Sequence, residues 1–179
     1  RDFPMAGPVV VVANHTSHFD PPLLGGATRR QLSYLARDTL FVGPFGWLIR
    51  SYDAVPVDRD GTGIGGIRAT LKRLKQGAAV VLFPEGTRSP DGELQPFKPG
   101  FLALVRRSKA MVQPVGIAGA TAAWPKGASL PRFLGRITMV YGEAITPDEW
   151  AGLTDEELLQ LSRRRVAECL ARATEANAG

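Results

Sequence analysis

At 179 residues the chain is long enough for one domain that buries on the order of 70% of its unfolded surface, and 44% hydrophobic with 22% charged residues excludes a wholly disordered chain. Lys and Arg number 22 against 17 Asp and Glu, a net charge of +5. That balance favours anionic partners such as phosphorylated substrates, acidic lipid surfaces or nucleic acid without choosing among them. A single cysteine, Cys169, excludes an internal disulfide; its amphipathic surroundings suit a packed, inert thiol better than a nucleophile. No apolar run reaches the roughly 18 residues that a membrane-spanning helix needs. The chain opens at Arg1 and enters a strand almost at once. That predicts a segment cut from something longer, with any targeting or anchoring sequence outside it.

In chain order, the run PVVVVAN (8–14) suits a strand buried on both faces. PPLLGGATRR follows as a short helix or turn. QLSYLAR and AVPVDR (54–59) are further strand candidates. Over 62–76, the spacing of Ile64, Ile67, Leu71 and Leu74 predicts an amphipathic helix ended by Gly77. AAVVLF (78–83) reads as another buried strand. The 17-residue polar loop PEGTRSPDGELQPFKPG comes next, a length that compact domains keep mainly for function. A helix over about 100–108, a strand VQPVGIAG, a loop containing Trp124 and a strand RITMVYGEAI complete the middle. Thr154 and Glu157 form the capping-box pattern of a last helix, whose buried face is predicted as Leu158, Leu159, Ser162, Val166, Cys169, Leu170 and Ala173. Strands alternating with helices imply an α/β domain, a mixed and largely buried central sheet flanked by helices, with functional residues in loops at strand ends.

Both histidines of the chain, His15 and His18, lie in NHTSHFD (14–20). His15 and Asp20 are five residues apart, about 140° around a continuous helix, so they meet only if a tight turn folds Asp20 back onto the ring. Pro21 and Pro22 make such a turn or helix start reasonable. A carboxylate on one ring nitrogen would fix the tautomer and leave the other nitrogen as a base. Two alternatives stand beside this: a solvated polar turn, and a metal site from His15, His18 and Asp20. Ser17 lacks the strained elbow of a hydrolase nucleophile, so a base without a protein nucleophile suggests that a substrate hydroxyl attacks.

In FPEGTRS (83–89), Gly86 lets backbone approach a ligand, Thr87 and Ser89 offer hydroxyls, and Arg88 offers a planar fork for phosphate. Taken alone, the loop is also readable as a turn with solvated charges, Glu85 beside Arg88 as a weak local ion pair, and Arg59 as a surface arginine.

In order along the chain, NHTSHFD, VPVDR, FPEGTRS with the trailing FKPG (97–100), and VQPVGI resemble the four sequence blocks of the glycerolipid acyltransferases, most nearly the bacterial 1-acyl-glycerol-3-phosphate acyltransferases. The resemblance covers about Val9 to Ile145 and implies that residues 1–179 form one acyltransferase domain. It makes His15 the general base toward the acceptor hydroxyl and Asp20 the residue that orients it. It places Arg59, Glu85, Gly86, Thr87 and Arg88 around the glycerol phosphate, and gives Pro114 the acyl-donor side. It implies transfer from an acyl-CoA or acyl carrier protein thioester to a lysophospholipid, forming phosphatidic acid, with no metal, cofactor or covalent intermediate. It further implies a place at the cytoplasmic side of the cell membrane and no role for nucleic acid. Asp53 stands where the family commonly has glycine, and Arg37 where lysine is frequent. A relative acylating another lysophospholipid, an ornithine lysolipid or a glycolipid is the runner-up; a metal-dependent phosphoesterase is the alternative from another class. The aromatic and basic stretches 39–50 and 124–136, the latter with Lys126, Arg132 and Arg136, are candidates for an anionic membrane surface.

Overall fold

The computed structural model describes residues 3–37, 42, 54–57, 64–124 and 135–178. Six strands form one sheet in the order β3-β2-β4-β1-β5-β6: β1 (Val9–Ala13), β2 (Leu32–Arg37), β3 (Ala54–Val57), β4 (Ala79–Leu82), β5 (Met111–Ala118) and β6 (Thr138–Tyr141). All neighbours pair in parallel except β5 with β6, which run antiparallel. The sheet is mixed, as the sequence predicts.

The valine run explains why β1 is central. Every residue of β1 is fully buried, and alternate side chains serve opposite faces. Val10 and Val12 enter one core with Leu74, Val80, Val105, Val112, Leu158 and Val166. Val9, Val11 and Ala13 enter the other with Leu24, Leu32, Val81, Val115 and Ile117. A polar side chain on either face of β1 would break one of these two cores.

The helices are α1 (Asp20–Gly26), α2 (Ile64–Lys75), α3 (Leu102–Ser108, entered through a 3-10 turn at Pro99–Phe101), α4 (Ala120–Ala123), α5 (Pro147–Trp150) and α6 (Asp155–Ala178). Two of them, α4 and α5, are single turns that the sequence pattern does not reveal. Helix α2 meets expectation at Leu74, which is fully buried, and at Leu71, packed on the same core, but not at Ile67. Ile67 is 48% exposed, and the stripe facing the sheet is Gly66, Thr70 and Leu74. Small residues let this helix sit close, and the buried Thr70 hydroxyl is satisfied by donating to the Gly66 carbonyl at 2.7 Å. Gly77 ends α2 with φ +85° while the Ala78 N–H reaches back to the Arg73 carbonyl, a Schellman closure.

The capping box opens α6 as expected. The Thr154 N–H donates to Glu157 Oε2 at 2.7 Å, and the Glu157 N–H donates to Thr154 Oγ1 at 3.2 Å. The exposed Glu157 carboxyl is lowered by the hydrogen bonds from Thr154. The buried face of α6 is Leu158, Ser162, Val166, Cys169 and Ala173, with Leu159 and Leu170 at its margins. Burial pushes the Cys169 thiol up, in keeping with an inert side chain.

Helix α6 lies along β5, and one glycine permits it. A Cβ on Gly116 would stand 2.2 Å from Leu170 N and 2.5 Å from Leu170 Cα, both backbone atoms of α6. Gly116→Ala is therefore expected to lower unfolding free energy by about 3 kcal/mol or more, because neither element can yield without moving the core. Chemical denaturation of the variant beside the parent measures it.

Candidate active site

The site forms where β4, β1 and β5 end, at the carboxyl edge of the parallel strands, the usual location for ligands in such sheets. Asn14 is the first residue beyond β1, and its amide imitates a strand. Nδ2 donates to the Ile117 carbonyl at 2.9 Å, and Oδ1 accepts from the Ile117 N–H at 2.8 Å. This side-chain pairing continues the link to β5 just where the backbone turns away.

The turn is built around Asp20, which is fully buried. Its Oδ2 accepts from the Thr16 N–H at 2.7 Å, the Ser17 N–H at 2.8 Å and His15 Nδ1 at 2.8 Å. The fold-back required by the sequence is thus made, with Asp20 as the first residue of α1 and Pro21 and Pro22 behind it. With Nδ1–H given to the carboxylate, Nε2 is the nitrogen left to accept a proton. The His15 side chain is 20% exposed, so a ligand can reach it.

His15 is also gripped by the third block. Its N–H donates to Glu85 Oε1 at 2.9 Å, its carbonyl accepts from the Ser89 N–H at 2.7 Å, and its ring stacks on Phe83 with centroids 4.0 Å apart and planes 19° from parallel. Phe83 to Gly86 is a turn closed by the Gly86 N–H on the Phe83 carbonyl, with Pro84 and Gly86 at the positions that such turns favour. Glu85 points inward: it is 3% exposed, and its Oε2 accepts from the Gln95 N–H at 3.4 Å. Burial raises its carboxyl to about 7, against the opposing effect of the two N–H donors.

His18 stands apart from the pair. Its ring lies 5.0 Å from that of Trp124, and burial first, then the nearby Arg88 charge, lower its pKa. The Arg88 charge thus repels the protonated form of His18. Ser17 is fully buried and donates its hydroxyl to the Trp124 carbonyl at 3.0 Å, so its proton is committed. Trp124, the first residue of the stretch 124–136, packs its ring against Phe19 and His18 of this loop. Among the described residues no three His, Cys, Asp or Glu side chains gather as metal ligands.

Of the residues expected at the site, the structure brings together His15, Asp20, Glu85, Gly86, Thr87 and Arg88. Pro114 lies inside β5, buried opposite Val12, with its carbonyl accepting from the Gly142 N–H at 3.0 Å. Its carbonyl also lies 4.0 Å from Cys169 Sγ of α6. Arg59 and Asp53, the side chain of Arg37, Lys126 and Arg132, and all of 39–50 except Val42 lie outside what the structure describes. Asn14 and Phe83 were missed by sequence reasoning; their only signal is position, each flanking a motif at a strand end.

The Acyltransferase family model matches residues 1–118, and the chain belongs to that family of acyl-transferring enzymes. It is 30% identical over 168 residues to the 1-acyl-sn-glycerol-3-phosphate acyltransferase of Pseudomonas aeruginosa, covering 92% of this chain and 64% of the relative. It is 29% identical over 161 residues to the protein of the same name from Bacillus subtilis, covering 89% and 77%. The crystal structure of the 1-acyl-sn-glycerophosphate (LPA) acyltransferase PlsC from Thermotoga maritima matches with a TM-score of 0.82 at 30% identity, over 94% of this chain and 67% of that one. The chain thus spans 64% of the Pseudomonas relative, and 46% of the chloroplast relative BAT2 of Brassica napus.

Glu85 gives the site a measurable signature. A carboxyl raised from 4.5 to about 7 lends the fold stability that is fully present below pH 4.5 and lost as pH climbs through about 7, because the unfolded chain releases that proton first. The parent is therefore expected to lose on the order of 3 kcal/mol across that window relative to Glu85→Gln. Unfolding titrations of both proteins at several pH values give the difference directly.

Proposed function

We propose that this protein is a 1-acyl-sn-glycerol-3-phosphate acyltransferase, moving a fatty acyl group from a thioester to the free hydroxyl of a lysophosphatidate to form phosphatidic acid. The observation that carries this is the 2.8 Å contact of His15 Nδ1 with the buried Asp20 carboxylate. It leaves one basic nitrogen accessible, and the serine of the same loop, Ser17, has its hydroxyl committed to the Trp124 carbonyl. In this reading Nε2 takes the hydroxyl proton as the acceptor oxygen attacks the thioester carbonyl. Asp20 stabilises the imidazolium, and the departing thiolate receives the proton as the carbon–sulfur bond breaks. The oxygen–carbonyl bond formed replaces the one broken, so no redox partner or cofactor enters.

Arg88, with Arg59 from the second block, binds the acceptor phosphate, and Gly86 and Thr87 shape the same turn. Glu85 serves this reading by holding the His15 backbone. The donor is acyl-CoA or an acylated carrier protein. The relatives named as lysophosphatidate acyltransferases in two bacteria support the acceptor. A bilayer holds such an acceptor, and the stretch 124–136 is assigned to its anionic surface. Among the described residues no helix is long and apolar enough to cross a membrane. Flotation with anionic vesicles should show salt-sensitive binding, weakened by Gln at Lys126, Arg132 and Arg136; binding untouched by those changes would remove this stretch.

A thioester-consumption assay against a panel of lysolipids tests the function. Lysophosphatidate should be preferred over neutral or zwitterionic lysolipids. His15→Ala should cost about 10²–10⁴ in kcat, and Asp20→Asn a large part of that. His18→Ala should keep most activity. Arg88→Lys should raise the acceptor KM while leaving the donor KM nearly unchanged, since a point charge does not replace the fork.

A further inference from the structure

Gly86 adopts φ +75°, and a Cβ there would stand 2.9 Å from Lys98 Nζ and 3.2 Å from Lys98 Cδ and Cε. The space a glycine leaves in this turn is therefore occupied by the end of the Lys98 side chain. The lysine reaches it because its own backbone is fixed. The Lys98 N–H donates to the Pro84 carbonyl at 2.8 Å, and Pro99 begins the 3-10 turn directly behind it.

Lys98 is itself an exposed residue. A free lysine normally extends toward water, with its stem rotamers unrestricted. Here it folds back over the turn that carries Arg88, and no described residue accepts a bond from its ammonium. The one carboxylate of that turn, Glu85, is buried and committed to the N–H groups of His15 and Gln95. The Lys98 ammonium thus lies on the turn that leads to Arg88, with no described acceptor of its own.

We propose that Lys98, its ammonium lying over Gly86, is a second cationic ligand for a substrate phosphate, acting with Arg88. This rests on the reading of the 85–88 turn as the phosphate site. Phosphate could be offered by the acceptor's monoester or by the CoA moiety of the donor; the turn adjoins the base that must meet the acceptor hydroxyl, so the inference commits to the acceptor.

The test is steady-state kinetics of the full chain with lysophosphatidate and acyl-CoA varied separately. Lys98→Met, which keeps the stem and removes the charge, should raise the acceptor KM about 10- to 100-fold, the worth of one charged hydrogen bond. The donor KM should stay within about twofold, and the exposed site should leave the thermal midpoint unmoved. Lys98→Arg should retain most of the acceptor affinity. A donor KM that rises alone would overturn the assignment in favour of the CoA phosphates. An unchanged acceptor KM in Lys98→Met, beside a raised one in Arg88→Lys, would overturn this inference and leave the phosphate turn standing. If neither variant moved the acceptor KM, the phosphate turn itself would fall.

Discussion

One oxygen atom organises this site. Asp20 Oδ2, in a fully buried side chain, accepts two backbone N–H groups and the ring of His15. A carboxylate taken from water is costly unless hydrogen bonds replace its hydration, so the turn from Thr16 to Asp20 must close around it. The same closure that shields the charge aims the imidazole. Structure and chemistry are therefore coupled at Asp20: loosening the turn would free the ring, and losing the ring contact would leave the carboxylate one donor short.

The second support comes from the neighbouring strands. The loop after β4 holds His15 by its N–H, its carbonyl and its ring face, while β5 holds Asn14 through a paired amide. His15 is thus clamped from both sides of β1 by elements anchored in the sheet. In the proposed reaction, such preorganisation would remove the entropy of bringing base and hydroxyl together. It also explains how a glutamate beside an arginine can serve from the inside: Glu85 faces His15 and Gln95.

Much of this was legible from residue types alone. Four successive valines announce a strand buried on both faces, and β1 is that strand. Thr154 and Glu157 announce a helix start and cap α6. The fold-back of Asp20 is one of three readings that the five-residue spacing leaves open, beside a solvated turn and a metal site. Other features depend on tertiary geometry that no local pattern encodes. Helix α2 buries Thr70 and Leu74 while Ile67 stays outside. The ring of Trp124 rests on Phe19 and His18, partners far away in sequence. Gly86 reads as room for a ligand, and the room holds Lys98. Asn14 and Phe83 look like ordinary strand-end residues until their partners, distant in sequence, are known.

The central claim is that Asp20 fixes His15 with its proton on Nδ1 and its Nε2 free to act as base. With only two histidines in the chain, nitrogen-resolved NMR of the rings isolates it, using His18→Gln to assign the signals. The account predicts the His15 ring in the Nδ1–H tautomer, its proton shifted far downfield by the carboxylate, with tautomer preference lost in Asp20→Asn. A ring in the Nε2–H tautomer, or one indifferent to Asp20→Asn, would contradict it.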